Sequence, residues 1–349
     1  MYASTEIKSG FVELVRHTTH YLEAGPANGT PIIFVHGWPE LSLAWRHQLK
    51  AFADRGYRVI APDLRGCGSS RLHLNLAAYT QREIVLDMIE LVDQLNIERA
   101  IWVGHDWGSA VVWNVANHHP ERCFAVASLC VPYWTLERGI GEASALLNRD
   151  QYPEDVFPAG QFEYMLFYQE QFDVATEVFG RNHEATFKVI MRRGDPGLAG
   201  TQFLTAFVRK RGGWFGPGKS PPDVPLDQKI LSTEDLRAYA ESYRRTGFFG
   251  INALYMNDDK NKRYSDEALD KGVLRLPVLF LSGRYDYVSD TERSNLTLPM
   301  QDRCTRLRMR TLDTGHWMQH EAPEEVNKEL MAWISQDVFP VRITINRTA

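Results

Sequence analysis

The residues best suited to chemistry surround an aspartate in the segment Val103-Gly104-His105-Asp106-Trp107-Gly108-Ser109. The segment lies between a short apolar run, predicted to be a buried strand, and a helix predicted to begin near Ser109. This is the strand–turn–helix context of a nucleophile elbow, whose general form is G-x-S-x-G, with aspartate in place of serine. Glycines on both sides allow a sharp turn, from which the Asp106 side chain can project at the carboxyl end of a sheet.

A carboxylate at that position favours a particular reaction. It can attack an sp³ carbon and form an alkyl ester, a covalent intermediate that divides one difficult step into two easier ones. The alternative is that Asp106 caps the helix that follows, a common role for aspartate. The flanking glycines and two candidate partners further along the chain favour the nucleophile.

Those partners are Asp286 and His316. Asp286 follows the apolar run Val278–Leu281, and His316 lies between a strand-like run that ends at Leu312 and the last predicted helix. Both are therefore expected at the same rim of the sheet as Asp106, in the chain order nucleophile, acid, histidine. His316 would take a proton from water as a general base, and Asp286 would orient the imidazole. The alternative for His316 is a solvated loop residue.

A third motif, His36-Gly37-Trp38-Pro39, directly follows another predicted buried strand. A loop at this place and the turn after a nucleophile can each donate a backbone N–H to an oxyanion. Here the donors would be the amides of Trp38 and Trp107. They would stabilise the oxyanion that forms when water attacks an ester of Asp106. An ordinary turn explains Gly37 and Pro39 equally well.

The elements that must position these residues alternate between strands and helices, which predicts a mostly parallel α/β sheet. Helices are predicted from a capping box at Thr80–Glu83 and from Pro323. The strands are predicted as an opening pair within residues 11–23 and as short apolar runs at 31–35, 57–61, 100–104, 124–129 and 277–281.

The alternation is interrupted between about Val131 and Tyr264 by a stretch that is helical in pattern and rich in aromatic residues. We predict a core domain formed by residues 1–131 and 265–349, with an α-helical lid of residues 132–264 inserted after the sixth strand. A separate domain on a linker is the weaker alternative, because no long polar linker flanks the stretch.

Composition excludes several classes of protein. A net charge of −5 without a basic block gives no reason to expect nucleic acid or an anionic membrane as a partner. No apolar run approaches the roughly 20 residues that span a bilayer. The polar segment Met1–Gly10 does not resemble a signal peptide, and the four cysteines form no C-x-x-C motif. We therefore expect a soluble, cytoplasmic protein with reduced thiols; the oligomeric state stays open.

Together the motifs HGWP and GHDWGS, the aspartate of GRYDYV and the histidine of DTGHWMQH resemble the soluble-type epoxide hydrolases of the α/β-hydrolase fold family. The resemblance extends from about residue 11 to residue 336. It implies a mostly parallel sheet flanked by helices, with a lid after the sixth strand. It also implies that epoxides are opened to vicinal diols through an ester on Asp106, which water activated by His316 and Asp286 then hydrolyses. No cofactor and no metal are expected.

Two stretches of the lid make the resemblance more specific, namely Phe162–Glu170 and Gly247–Asn257. They are similar to the two lid tyrosine segments of that family, which implies that Tyr164 and Tyr255 hydrogen-bond the epoxide oxygen. A phenol with a pKa near 10 can donate a proton to a departing alkoxide. Tyr168, one helical turn from Tyr164, is a competing candidate. The resemblance also predicts a cis bond between Trp38 and Pro39.

The substrate expected from the resemblance is a small apolar epoxide, with water as the second reactant. Trp38, Trp107 and Phe162 are the predicted substrate contacts. An apolar pocket is further indicated by aromatic residues across the lid region. These are Phe162, Phe167, Trp134 and Trp214.

Two other functions compete with this prediction. A haloalkane dehalogenase shares the fold, the aspartate and a tryptophan after it, and Trp107 would then bind the leaving halide. The lid phenols favour an oxygen leaving group instead, because a halide needs no proton. The second alternative is a non-catalytic receptor with the same fold, since fold alone does not establish activity. A serine esterase is disfavoured by Asp106.

Overall fold

An eight-stranded sheet with the strand order β1-β2-β4-β3-β5-β6-β7-β8 forms the centre of the molecule. The computed structural model describes residues 6–340, so the outer ends of the predicted core domain, 1–5 and 341–349, lie outside the described residues. β2 pairs antiparallel with β1 and β4, and the remaining pairs are parallel, which confirms the predicted fold class. The strands are β1 Lys8–Glu13, β2 Thr18–Ala24, β3 Pro31–Val35, β4 Arg58–Pro62, β5 Ala100–His105, β6 Cys123–Leu129, β7 Val278–Gly283 and β8 Leu307–Leu312.

The central strands lie within one or two residues of their predicted bounds, because both faces of each are buried and their apolar runs are continuous. The opening pair differs more, since β1 begins at Lys8 and not near residue 11. β1 is an edge strand whose first residues are largely exposed, so its beginning carries no apolar signal.

Helices cover both faces of the sheet and recur along the chain between β6 and β7. The predicted helix after Thr80 is α2, where the Thr80 hydroxyl accepts a hydrogen bond from the Glu83 amide at 3.4 Å. The α-helices are α1 Arg46–Ala53, α2 Gln81–Gln94, α3 Trp107–His118, α4 Ile140–Ser144, α5 Glu163–Glu170, α6 Phe172–Gly180, α7 His183–Ile190, α8 Thr233–Thr246, α9 Phe249–Asn252, α10 Asp258–Asp266, α11 Leu298–Arg303, α12 Met318–Glu321 and α13 Pro323–Trp333. Within residues 6–340, none of them is long and apolar enough to cross a membrane.

Two apolar clusters, one on each face of the sheet, form the core. Alternate residues of β3 contribute to both, with Ile33 in one cluster and Ile32 in the other. The cluster that contains Ile32 is closed by α1 and α13, and the cluster that contains Ile33 is closed by α2, α3 and aromatic residues from between β6 and β7. The sheet is thus buried on both faces, and its loops at the carboxyl ends of the strands lie beneath the helical insertion.

The stretch between β6 and β7 contains α4 to α10, in agreement with a helical insertion after the sixth strand. Its division from the core at residues 132–264 remains our proposal. Trp134, one of the candidate pocket aromatics, lies at the base of this stretch between two guanidinium groups, 4.3 Å from that of Arg138 and 4.2 Å from that of Arg303. Its ring therefore packs in a structural contact at the junction.

Candidate active site

Asp106 lies at the sharp turn between β5 and α3, with φ 51° and ψ −124°. Such a backbone is rare for residues other than glycine and is stable only where the surroundings impose it. A Cβ at Gly108 would collide with the carbonyl oxygens of Val35 and His36, and one at Gly104 would collide with the backbone of the next turn. Both glycines are therefore needed for α3 to approach β3 and β5 closely enough to form the turn.

The Asp106 carboxylate points away from the helix that it precedes. Asp106 occupies the N-cap position of α3, but its side chain makes no capping hydrogen bond. Oδ1 instead accepts the backbone N–H of Trp38 at 2.6 Å. The helix-capping alternative therefore has no support in the geometry, and the carboxylate is directed towards the loop after β3.

Asp286 and His316 lie next to this carboxylate, in the loops after β7 and β8. His316 Nδ1 is 2.9 Å from Asp286 Oδ2, and His316 Nε2 is 3.5 Å from Asp106 Oδ2. The amides of Val288 and Ser289 donate to Asp286 Oδ1 at 3.0 and 3.2 Å, which fixes the orientation of that carboxylate. The structure thus brings the three predicted residues together, buried, with the imidazole between the two carboxylates.

The charges in this group depend on one another. Burial alone would raise the pKa of Asp286, but the charge of His316 and their hydrogen bond lower it below its usual value. Burial alone would lower the pKa of His316, but the charge of Asp286 and hydrogen bonds with both carboxylates raise it well above its usual value. Before any reaction the imidazole is therefore favoured in its protonated form. Neutralising Asp106 would remove one of the interactions that hold this proton.

The loop His36–Pro39, which is the predicted oxyanion loop, fits closely around Asp106. The Trp38–Pro39 bond is cis, as predicted. A Cβ at Gly37 would collide with the Asp106 side chain, so the close approach of the loop requires glycine there. The Trp38 amide is already in place as a donor. Trp107 is the first residue of α3, and its amide as the second donor stays a prediction.

The rings of the two predicted lid phenols pack edge to face, although the two residues are far apart in sequence. Tyr164 lies in α5 and Tyr255 in the turn Ala253–Met256, with ring centroids 5.7 Å apart and both side chains buried. Burial raises the pKa of Tyr164, and the nearby negative charge of Asp106 raises it further. Burial likewise raises the pKa of Tyr255, with further contributions from Tyr164 and Asp106. Both phenols are thus kept protonated and able to donate.

Tyr168, the competing candidate, is held differently. Its hydroxyl accepts a hydrogen bond from Trp214 Nε1 at 2.9 Å, which engages it within the lid. Tyr164 instead lines a small cavity, about 20 Å³, together with Asp106. The geometry favours Tyr164 as the first lid donor.

Two cavities meet the site from different sides. The small cavity at Asp106 has an otherwise mostly apolar lining that includes Val131, Leu136 and the predicted substrate contact Phe162. A larger cavity of about 290 Å³ borders His316 and Asp286, and Trp214 forms part of its wall. The two remaining predicted contacts, Trp38 and Trp107, are packed against Tyr255, with ring centroids 6.5 and 5.1 Å from it.

One residue that the sequence did not single out joins the lid to the oxyanion loop. Asn252, at the end of α9, accepts the indole N–H of Trp38 at 2.7 Å and donates to the Thr176 hydroxyl at 3.2 Å. Asn252 lies three positions before Tyr255, so a single side-chain contact positions both the oxyanion loop and the lid segment of that phenol. In the sequence, the one sign of this role was that Asn252 lies only three positions before the predicted lid residue Tyr255.

A buried ion pair, also missed, lies behind the triad. His105 Nδ1 is 2.7 Å from Glu40 Oε2, and His105 Nε2 is 2.8 Å from the backbone oxygen of His316. Burial alone would lower the pKa of His105, but the charge of Glu40 raises it to about 10. The charged imidazole thus supports the His316 loop from below. The position of Glu40 directly after the HGWP motif was a signal that could have been used.

Comparison with known proteins agrees with this geometry. The family model described as the alpha/beta hydrolase fold matches residues 30–323. Epoxide hydrolase A of Mycobacterium tuberculosis is 34% identical over 328 residues, which cover 90% of this chain and 93% of the relative. Bifunctional epoxide hydrolase 2 of Sus scrofa is 30% identical over 320 residues, which cover 91% of this chain and 53% of the relative. The chain thus spans about half the length of the bifunctional relatives.

Solved structures show the same likeness. The crystal structure of epoxide hydrolase A from Mycobacterium thermoresistibile has a TM-score of 0.76 at 30% identity, covering 94% of this chain and 98% of that one. An epoxide hydrolase from an endophytic Streptomyces has a TM-score of 0.75 at 28% identity, covering 94% and 95%. The chain belongs to the α/β-hydrolase fold family, among its epoxide hydrolases. The predicted family is thereby confirmed, and these relatives give no support to the dehalogenase alternative.

Proposed function

We propose that this protein hydrolyses epoxides to vicinal diols through a covalent ester on Asp106. The observation that carries the proposal is the meeting of two chemically different groups around one buried carboxylate. On the side of the sheet lies the His316–Asp286 pair, with His316 Nε2 at 3.5 Å from Asp106. On the side of the lid lie the protonated phenols of Tyr164 and Tyr255. An epoxide needs both an attacking group and a proton donor.

In the first step, a carboxylate oxygen of Asp106 attacks an epoxide carbon, and the bond from that carbon to the epoxide oxygen breaks. The electrons of the broken bond stay on the oxygen, which takes a proton from Tyr164 or Tyr255. The Trp38 amide at 2.6 Å holds Oδ1 and fixes the plane of the carboxylate for the attack. The product is a neutral hydroxyalkyl ester of Asp106.

The second step follows from the change in charge. As an ester, Asp106 no longer contributes to the raised pKa of His316, so the imidazole gives up its proton more readily, and the tyrosinate left by the first step takes it up. The imidazole can then accept a proton from water, which attacks the ester carbonyl. The resulting oxyanion is stabilised by the Trp38 amide and, as predicted, by the Trp107 amide. Its collapse expels the second diol oxygen, which takes a proton from His316, and the new carboxyl group of Asp106 then returns its proton to the imidazole, so that the diol leaves and the starting charges are restored.

The substrate class we propose is a small apolar epoxide. Support comes from the mostly apolar lining of the cavity at Asp106, to which Phe162 contributes, and from the fact that Asp106 is the one charged group among the described residues of that lining. Trp38 and Trp107 pack around the phenol of Tyr255 and limit the space at the reacting centre.

A comparison of matched substrates tests the proposal. The purified protein is assayed with styrene oxide and an aliphatic epoxide, beside haloalkanes of the same carbon skeletons. We expect diol formation from the epoxides and little halide release, with Asp106→Ala as the inactive control. Halide release without epoxide turnover would favour the dehalogenase alternative. Inactivity towards both substrate classes, in a folded protein, would favour a receptor.

A cytoplasmic location is also part of the proposal. It is supported by the four cysteines, all of which are free and buried in the described structure. Fractionation of cells that naturally produce the protein, followed by immunoblotting, tests it; recovery in a secreted or membrane fraction would contradict it.

A further inference from the structure

A thiol lies beside the triad in a conformation that demands explanation. Cys130 directly follows β6, in the left-handed backbone region with φ 73°, and is almost completely buried. A branched or bulky side chain there would be strained, and cysteine itself adopts this conformation rarely. Its Sγ donates to the backbone oxygen of His316 at 3.2 Å. The backbone therefore directs the thiol towards the loop that carries the histidine.

Three metal-ligating atoms converge at this place. The sulfur of Cys130 and one ring nitrogen each of His105 and His316 all lie within 4.8 Å of one another, and all three residues are buried. In a tetrahedral zinc site the ligand atoms are about 3.5 Å apart, as follows from metal–ligand bonds of about 2.0–2.3 Å. Shifts on the order of 1 Å, within the range of small side-chain rotations, would bring the three atoms to that spacing. Asp286 lies 2.9 Å from His316 Nδ1 but outside this group of three, so the fourth position around the ion is left to water.

We propose that Cys130, His105 and His316, with water in the fourth position, form a binding site for Zn²⁺ or a similar thiophilic divalent ion, and that its occupation stops turnover. Coordination replaces the thiol proton of Cys130 and the protons on the ligating nitrogens, and these protons pass to solvent. No electron is transferred. The ion acts as an inhibitor of the enzyme, and the ester mechanism has no need of it.

The surroundings of His105 are those of a metal ligand. In metal sites, a ligating histidine nearly always donates its other ring N–H to a carboxylate or a carbonyl, which fixes the orientation of the ring. His105 has this arrangement, with Glu40 at 2.7 Å from Nδ1. Glu40 is itself held by Gln319 at 2.7 Å and by His320 at 3.0 Å. The second ring nitrogen of His105, Nε2, donates to the backbone oxygen of His316 at 2.8 Å, and Cys130 Sγ donates to the same oxygen at 3.2 Å, so coordination of an ion replaces both of these hydrogen bonds.

The position of His316 bears both on how an ion reaches the site and on why its binding would stop turnover. The cavity of about 290 Å³ borders His316 and Asp286, so an ion that enters it reaches the imidazole of His316 first. Coordination through Nδ1 replaces the hydrogen bond with Asp286 and leaves the one proton of the ring on Nε2, so Nε2 has no free lone pair with which to accept a proton from water. Binding of the ion does not depend on the proposed function, whereas the loss of turnover rests on it.

The binding test uses Co²⁺ as a spectroscopic probe and Zn²⁺ as its competitor, with the full chain. Co²⁺ bound to a thiolate gives a charge-transfer absorption band, which we expect in the parent protein and which Zn²⁺ should abolish. Cys130→Ser should lose the band and weaken Zn²⁺ binding on the order of 100-fold. Cys304→Ser is the matched control, because Cys304 is also a buried free thiol but pairs by its backbone with Leu274, away from the triad. It should behave like the parent.

A band that persists in Cys130→Ser, or equal Zn²⁺ affinity in all three proteins, would overturn the site. Cys130→Ala serves as a second variant, and thermal unfolding confirms that each variant is folded before binding is measured. Inhibition is then measured as a fraction of the metal-free rate of each protein. We expect the parent and Cys304→Ser to be inhibited by Zn²⁺ and restored by a chelator, while Cys130→Ser resists.

The two readouts separate the possible failures. A thiolate band together with undiminished epoxide turnover in Zn²⁺ would overturn the inhibition and leave the site established. A thiolate band in a protein without any epoxide hydrolase activity would support the metal site and refute the proposed function.

Discussion

The rim of the sheet and the lid hold their functional groups by different means. Asp106, Asp286 and His316 each follow a strand of the same sheet. The pairing of Gly283 with Leu312, at the ends of β7 and β8, fixes the positions from which the Asp286 and His316 loops begin. Asp286 is three positions beyond that pair and His316 four. Tyr164 and Tyr255 are 91 positions apart (255 − 164) and meet through packing of aromatic rings.

Because of this difference, we expect the rim and the lid to respond differently to side-chain substitutions. Residues at the rim are positioned by backbone hydrogen bonds and by turns that only glycine permits, so a changed side chain there alters chemistry more than position. Residues of the lid are positioned by their neighbours, including the indole of Trp38 at 6.5 Å from the Tyr255 ring. A changed side chain there alters both position and chemistry. In the proposed mechanism the two sets of residues also serve different steps, because the lid donates a proton in the first and His316 accepts one in the second.

The largest effect is expected at the rim, from Asp106→Ala. Removal of the attacking group should lower kcat by about 10⁴-fold or more, the scale on which loss of a covalent nucleophile is felt. The fold should persist, because the carboxylate makes no helix-capping bond. Steady-state rates with styrene oxide, beside near-ultraviolet circular dichroism, provide the measurement. Substantial residual turnover would mean that another group attacks the epoxide.

A second rim variant, His316→Ala, should separate the two steps. The epoxide should still alkylate Asp106, but the ester should accumulate because no base activates water. Mass spectrometry should then find the mass of one substrate on the peptide that contains Asp106. Asp286→Asn should slow the same step, since the imidazole loses its orienting anion. Normal turnover by His316→Ala would remove the histidine from the mechanism.

The lid should show a smaller effect that is divided between two groups. Tyr164→Phe and Tyr255→Phe should each slow alkylation by about 10²-fold, because one phenol partly replaces the other. The double variant should be almost inactive. Tyr168→Phe is the matched control, since its hydroxyl is engaged by Trp214, and it should stay near the parent rate. Near-normal epoxide opening by the double variant would refute the lid assignment.

The smallest effect is expected where the two regions touch. Asn252→Leu leaves the buried indole N–H of Trp38 without its acceptor and should lower the free energy of unfolding by about 1–3 kcal/mol. We expect turnover to fall by roughly 3- to 10-fold as the oxyanion loop loosens. Trp38→Phe keeps the backbone amide and removes the same hydrogen bond. If the lost hydrogen bond causes the fall in stability and turnover, the variant with both substitutions should be little worse than either single variant. Strictly additive losses of stability and turnover would contradict this explanation.

The same contrast explains what the sequence could predict. The positions of the rim residues could be predicted from local patterns. Each pattern lies within a few residues of the group it positions, namely the GHDWGS turn at Asp106, the apolar run before Asp286 and the strand before His316. The lid phenols came from family resemblance, because no local pattern distinguishes Tyr164 from Tyr168 in one helix turn. In the structure they are separated by the hydrogen bond from Trp214 to Tyr168 and by the cavity that Tyr164 lines together with Asp106.

Two contacts that join distant parts of the chain were not predicted. Trp38 and Asn252 are 214 positions apart, and Cys130 and His316 are 186 positions apart. Neither pair has a sequence signature, since each depends on how the insertion and the loops pack in three dimensions. The start of β1 was misplaced for a related reason, because an exposed edge strand has no apolar periodicity to detect.

A single turnover in ¹⁸O-labelled water, with enzyme in excess over epoxide, tests the central claim most directly. If Asp106 attacks the epoxide, the oxygen added to the first diol comes from the carboxylate and is unlabelled. The label should appear in the peptide that contains Asp106, because water attacks the carbonyl of the ester. Label found at once in the diol, with none in Asp106, would show direct attack by water and contradict the covalent mechanism.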